Sequence, residues 1–238
     1  MTSSGQRIEW SRLLIEGGVI VASILLAFAI DAWWENRQER RAEGNQLLSI
    51  ASELESNAKQ IREKLDVLEV ADAAAKQFIS WTGPEPQLVG EEKFSETFRN
   101  MYSLGSFALL RGASEMYLAG NGVDLTRHHD MRDAIADWYA AGDELERQYA
   151  WLREAHATLG SYLLDTVPRL SFERSHPLLG DLEVSRFPFD QSNVLSDPRF
   201  ESRVSLYLIR LRFVQILATD LVESQAELLV HVRLAAES

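Results

Sequence analysis

The richest knot of polar side chains in the sequence is Arg127, His128, His129, Asp130, Arg132 and Asp133. Histidine beside aspartate is a pairing that general acid–base chemistry uses. The surroundings argue for a structural role instead. Gly120 and Gly122 precede the knot, Asp124 or Thr126 suits a helix N-cap, and acidic residues in a first turn complement the helix dipole. Glu227 and His231, four residues apart, would seat a metal ion only weakly by themselves. A carboxylate-bridged di-iron bundle needs two Glu-x-x-His pairs and two further glutamates, a set this chain does not contain. His156 falls on an apolar seam, where a hydrogen-bonded core histidine or a pH-sensitive spot is expected rather than a ligand. Neither a glycine-rich phosphate loop nor a Gly-x-Ser-x-Gly nucleophile elbow is present.

Composition narrows the classes further. The chain has 238 residues, 46% of them hydrophobic, 25% charged and 9% aromatic, which is close to the globular average. With no cysteine, thiolate metal sites, cysteine nucleophiles and disulfide scaffolds are excluded. A net charge of −12 argues against the broad basic surface that nucleic-acid binding requires.

The strongest single signal lies near the start, where residues 17–30 (GGVIVASILLAFAI) carry no charge and Ser23 is the one polar side chain. Trp10 on one side and Trp33 and Trp34 on the other bracket this run, and the 23 helical steps from Trp10 to Trp33 cover roughly 34 Å. A hydrocarbon layer of ~30 Å with its aromatic borders fits that length, so Leu13 to Trp34 reads as a transmembrane helix. The competing reading is a cleaved signal peptide. Arg7 and Arg12 precede the apolar run, and Ala27-Phe28-Ala29 has the small-x-small form. Glu16 interrupts the run, however, and WWENRQERRAEGNQLL continues past the supposed cut with no turn signal, so an uncleaved span is preferred.

Arg7, Arg12 and the terminal amine before the span balance Arg37, Arg40 and Arg41 after it, so positive charge alone does not orient it. Glu16 and Asp31 are separated by about 22 Å along a helix and about 60° around it, near opposite borders. In an oligomer they would form two acidic rings. As single carboxylates they would snorkel to water, which is the preferred reading. Gly18 with Ala22, and Ser23 with Ala27, form two small-xxx-small pairs that would let spans approach closely.

Three long helices must follow, because the apolar residues beyond Leu47 fall in an alternating 4,3 rhythm. One seam runs Leu47, Ala51, Leu54, Ala58, Ile61, Leu65, Leu68, Ala75 and Ile79, with Asp72 as a miss. A second runs Met131, Ile135, Trp138, Gly142, Leu145, Tyr149, Leu152, His156, Leu159 and Leu163. The third runs Val204, Tyr207, Leu211, Val214, Ala218, Leu221, Gln225, Leu228, Val232 and Ala235, where Gln225 is a candidate register-setting polar residue. A weaker helix over 91–119 should be broken near Gly105 and again near Gly112. The expected fold is all-α: one transmembrane helix continuing without a hinge into an up-down antiparallel bundle of about four long helices. All six prolines fall in the two connections at the end of the bundle away from the span. Phe172, Phe187 and Phe189 in the longer connection, 166–198, are candidates for a partner-binding tip or, preferably, a lid over the bundle.

Two segments carry a resemblance. IEGGVIVASILLAFAIDAWWENRQER is similar to the opening span of a large uncharacterised family of bacterial single-pass inner-membrane proteins, a domain of unknown function. Glu16 and Gly17 open it, Ser23 to Ala27 fill its middle, and Trp33 to Arg37 close it. ASEMYLAGNGVDLTRHHDMRDAIADWYA resembles that family's central motif, with Tyr117, Gly122, Val123 to Leu125, Met131, Arg132, Trp138 and Tyr139 matching in order. The resemblance implies a bacterial inner-membrane helical protein, and it tips the topology towards an inside N-terminus and a periplasmic bundle.

These readings converge on a tail over 1–12, a span over 13–34 and a helical bundle over 35–238. The expected function is that of a membrane-anchored sensor, adaptor or scaffold, not an enzyme and with no cofactor. Because no signalling domain follows the last helix, it would act through partners. The expected partners are the lipid bilayer and further copies of the chain or other membrane or envelope proteins, with no nucleic acid. The rival is a homo-oligomeric channel, in which Glu16 and Asp31 ring the entrances and Gly18, Ala22, Ser23 and Ala27 line the contacts between spans.

Overall fold

Between Trp10 and Trp81 there is no proline, and only Gly17, Gly18 and Gly44 lack a side chain, so little opposes a continuous helix. In the computed structural model this stretch is one helix, α1 (Trp10–Trp81), 72 residues long. It stops where Thr82, Gly83 and Pro84 follow; the Thr82 N–H closes the last turn on the Phe78 and Ile79 carbonyls. The structure describes residues 10–119, 129–168, 170, 185–187 and 189–237, of which 10–16 are described by backbone alone. Among them the other helices are α2 (Glu91–Tyr102), α3 (Gly112–Ala119), α4 (His129–Thr166), α5 (Gln191–Leu195) and α6 (Pro198–Glu237), and there is no strand. The all-α fold with a long apolar first helix is as the periodicity requires.

α1 has two parts that differ in what surrounds them. Residues 17–42 are exposed throughout, and burial begins at Glu43 and Leu47. The exposed part makes α1 the one described helix long and apolar enough to cross a membrane. From Glu43 to Trp81 the helix extends about 57 Å through the bundle, from what we term its base to its tip.

The other helices are placed along this axis by specific contacts. α6 runs from tip to base: Phe200 meets Phe78, Arg212 pairs with Asp72, and Ala236 lies against Gly44. α4 runs from base to tip, with Tyr139 beside Glu53 and Tyr162 stacked near Phe200. α2 and α3 together make the remaining descending leg, since Phe94 meets Phe78 near the tip and Ser114 meets Glu53 near the base. α6 packs on both α1 and α4, and the α2–α3 leg fills the opposite side.

Every residue of the α4 and α6 seams is buried or half-buried, including Gln225. On α1 the apparent miss, Asp72, is 8% exposed. Its carboxylate takes a hydrogen bond from the Arg212 guanidinium at 2.8 Å and pairs with Lys76, and these two cations replace the water it gives up. At the tip, α6 starts on a capped turn. Asp197 accepts from the Arg199 backbone N–H, and Pro198 occupies the first helical position, where a missing N–H costs nothing. Asp197 is held well below the ordinary carboxylate range by the Arg199 guanidinium and by the hydrogen bond from Tyr162.

Candidate functional site

The descending leg is interrupted between α2 and α3 by an unwound strap, residues 103–111. Breaking a helix inside a bundle orphans carbonyls at one new end and N–H groups at the other. Here the long helices supply side-chain caps for both ends. The Met101 carbonyl accepts from the Tyr207 hydroxyl of α6 at 2.8 Å, and the Tyr102 carbonyl faces His156 Nε2 of α4 at 3.2 Å. At the start of α3, the Glu53 carboxylate of α1 accepts from the Ala113 and Ser114 N–H groups at 2.7 and 3.1 Å, an anion at a helix N-terminus.

Between these caps the strap's backbone is held much as an extended peptide would be. The Leu104 carbonyl accepts from Lys64 Nζ at 2.7 Å and from the Tyr149 hydroxyl at 2.8 Å. Leu109 N–H donates to Glu146 at 2.7 Å. Leu110 is gripped on both sides by the fully buried Asn57, which accepts its N–H at 2.7 Å and donates to its carbonyl at 2.9 Å. Arg111 closes the strap through Asp143 and Glu146, at 2.6 and 3.2 Å. Leu104 and Leu109 turn their side chains into the core. Gly105 makes the bend possible, with φ at +66°, a region that side-chain-bearing residues rarely adopt.

The electrostatics favour holding over proton transfer. Burial alone would raise the Glu53 carboxyl, but hydrogen bonds from Tyr139 and from the Ala113 and Ser114 backbone outweigh it and keep the group ionised. Burial pushes the Tyr149 and Tyr207 hydroxyls up, and burial with the Glu53 bond does the same to Tyr139, so all three remain donors. Burial lowers Lys64 and His156 from their ordinary values.

A pH dependence follows. His156 faces the Tyr102 carbonyl and ring, the Tyr207 ring and the charge of Arg153, and burial is the largest influence on it. The unfolded chain therefore binds its proton more readily than the folded one, and stability should fall as pH drops below about 6.5. Glu53, held low when folded, contributes stability that is present above about 4.3 and lost as pH falls through its depressed value. Denaturation midpoints should decline in these two stages, and His156→Gln should abolish the first. A midpoint unchanged between pH 7.5 and 5.5 would contradict the assignment.

Two glycines of α4 give the descending leg room, one beside the end of α2 and one beside the strap. A Cβ on Gly160 would lie 1.8 Å from the Tyr102 hydroxyl oxygen, and one on Gly142 would lie 2.4 Å from a Leu109 methyl. Tyr102 is stacked on Phe98 and against His156, so it has nowhere to turn. Gly160→Ala should cost about 1–3 kcal/mol despite its better helix propensity. At Gly142 the obstructing atom is the end of a flexible leucine, and the propensity gain of about 1 kcal/mol should leave Gly142→Ala close to neutral. Thermal melts of the two variants side by side would check the contrast.

The residues singled out from the sequence are not gathered into one site. Gly18, Ala22, Ser23, Ala27 and Asp31 lie on the exposed length of α1, and the Ser23 hydroxyl is satisfied within the helix by the Val19 carbonyl at 2.8 Å. The Glu16 side chain and Phe172 lie outside the described residues. Phe187 is 75% exposed, whereas Phe189 turns inward, its ring 5.5 Å from Phe94. Phe189 is half-buried beside Phe94 and packs against the core. Arg127 and His128 also lie outside the described residues. Of the rest of that knot, His129 pairs with Asp133 at 2.8 Å on the surface, and Arg132 donates to the Leu118 carbonyl at 2.6 Å, capping the end of α3. The strap's holders Glu53, Asn57, Lys64 and Glu146 are new to the structure, and Tyr139, matched above only as a motif aromatic, holds Glu53 in place. Asn57 and Lys64 alone carry a signal, as the two polar members of the seven-residue stripe Ile50, Asn57, Lys64, Ala71 and Phe78. No family model, curated protein or solved structure matches the chain.

Proposed function

We propose that the chain is a non-catalytic, single-pass sensor, adaptor or scaffold of a bacterial inner membrane, anchored by Leu13 to Trp34 and carrying its bundle on the periplasmic side. One observation carries the reading: α1 passes from an exposed apolar stretch into the bundle core as a single helix. A ligand or partner that shifts the bundle would thereby shift the span, with no flexible joint to absorb the motion. Trp33 and Trp34 suit the water border of a bilayer, and the Arg37 guanidinium stands 5.4 Å over the Trp33 ring, where its charge can reach headgroups. From Trp34 to Glu43 about 13 Å of charged helix would separate the lipid from the bundle. The polar groups around the strap are engaged in holding its backbone, which supports a structural rather than a catalytic use of them.

A reporter active on one side of the membrane, fused after Ser238, tests the topology, and the size of the N-terminal fragment tests for cleavage. A periplasmic, uncleaved protein is expected. A cytoplasmic reporter would overturn the envelope assignment, and cleavage after Ala29 would overturn the anchor.

A further inference from the structure

The unwound strap and α1 flank an open cleft of 480 Å³, of a size that small-molecule sites share. Val67, Phe107 and Ala108 give it apolar walls, and Gln60, Glu63, Lys64 and Ser106 give it polar ones. Lys64 is the distinctive member. Its ammonium group reaches the Leu104 carbonyl at 2.7 Å and the face of Tyr149 at 5.5 Å, but among the described residues it pairs with no carboxylate, in a chain of net charge −12. Glu63, the carboxylate in the same lining, is exposed and directed to Lys59 at 3.9 Å. Gly105 keeps the space above the ammonium group clear, since a Cβ there would stand 3.3 Å from Nζ.

We propose that this cleft binds a small water-soluble monocarboxylate with an apolar body, its carboxylate on Lys64 and its body against Val67, Phe107 and Ala108. An ammonium group with free donors beside apolar walls favours a carboxylate with a hydrophobic tail. The nearby Glu63 carboxylate disfavours dianions such as phosphate by like-charge repulsion. Lys64 lies thirty helical steps from Trp34, about 45 Å, so a lipid headgroup in the membrane that anchors the chain does not reach it. Such a ligand would tie α1 to the strap. It thus gives the sensor reading a ligand class, but its binding does not depend on that reading.

The test uses the full chain in nanodiscs of zwitterionic lipid and 4-phenylbutyrate as probe, with 4-phenylbutan-1-ol and inorganic phosphate as comparators, followed by ligand-observed NMR titration. The carboxylate should bind at least about tenfold more tightly than the alcohol or phosphate. Lys64→Met should remove that preference while the protein stays folded, because Tyr149 still satisfies the Leu104 carbonyl. Ala108→Trp, which fills the cleft and leaves Lys64 in place, should weaken binding by a similar factor. The proposal is overturned if the carboxylate does not bind, if the alcohol binds equally well, or if both variants bind like the parent. Binding together with a cytoplasmic reporter at Ser238 would uphold this site and reject the envelope reading.

Discussion

Phe78→Ala should cost about 3–5 kcal/mol, the largest loss expected of any single substitution in the bundle. Phe78 is 0% exposed and meets three other aromatic rings edge-on: Trp81 at 5.3 Å, Phe94 at 5.2 Å and Phe200 at 5.6 Å. These rings belong to α1, α2 and α6, so truncation leaves a void where three elements are joined. The neighbours cannot close it cheaply, since each ring is itself held by the others. Denaturant unfolding of the solubilised protein, followed by tryptophan fluorescence, would measure the loss. A cost below about 1.5 kcal/mol would mean that the tip is not packed as described.

Asn57→Ala should cost about 3 kcal/mol, for a different reason. Asn57 is fully buried and satisfies both polar groups of Leu110, so truncation removes both bonds that hold the strap at this point and leaves a void beneath it. Asn57→Asp should recover little: a carboxylate keeps the bond from the Leu110 N–H but sets an anion against the Leu110 carbonyl. In hydrogen exchange, the amides of Leu109, Leu110 and Ala113 should lose protection before the rest of the bundle does. Uniform loss over α1, α4 and α6 would mean that the strap has no separate stability of its own.

Much of the architecture follows from spacing. The seams of α4 and α6 are long and keep one register, and a heptad pattern of that length has few other solutions than helices packed along their apolar stripes. The interruption of the weak leg near Gly105 is also legible, and Gly112 marks the start of α3 rather than a second break. What fills the interruption is not legible. Glu53 resembles an ordinary surface residue of a helix until the strap lies over it, and the place of Asn57 and Lys64 in a seven-residue stripe does not say what they hold, because the backbone partner comes from another segment. Asp72 misleads in the same way, as its partner Arg212 lies 140 residues away. Phe187 and Phe189 are two residues apart in the same connection, yet one is exposed and the other reaches Phe94, a choice made by tertiary packing.

Coupling between bundle and span requires α1 to be one rigid element from the apolar stretch into the bundle. The chain has no native cysteine, so Ile30→Cys and Asp66→Cys can be spin-labelled as a pair in the full chain in a bilayer. Both positions are exposed and lie on the same face of α1, 36 residues apart. Dipolar spectroscopy should give a single narrow distance near 54 Å, the length of an unbroken helix. A broad distribution centred well below that value would place a hinge between the apolar stretch and the bundle and contradict the account.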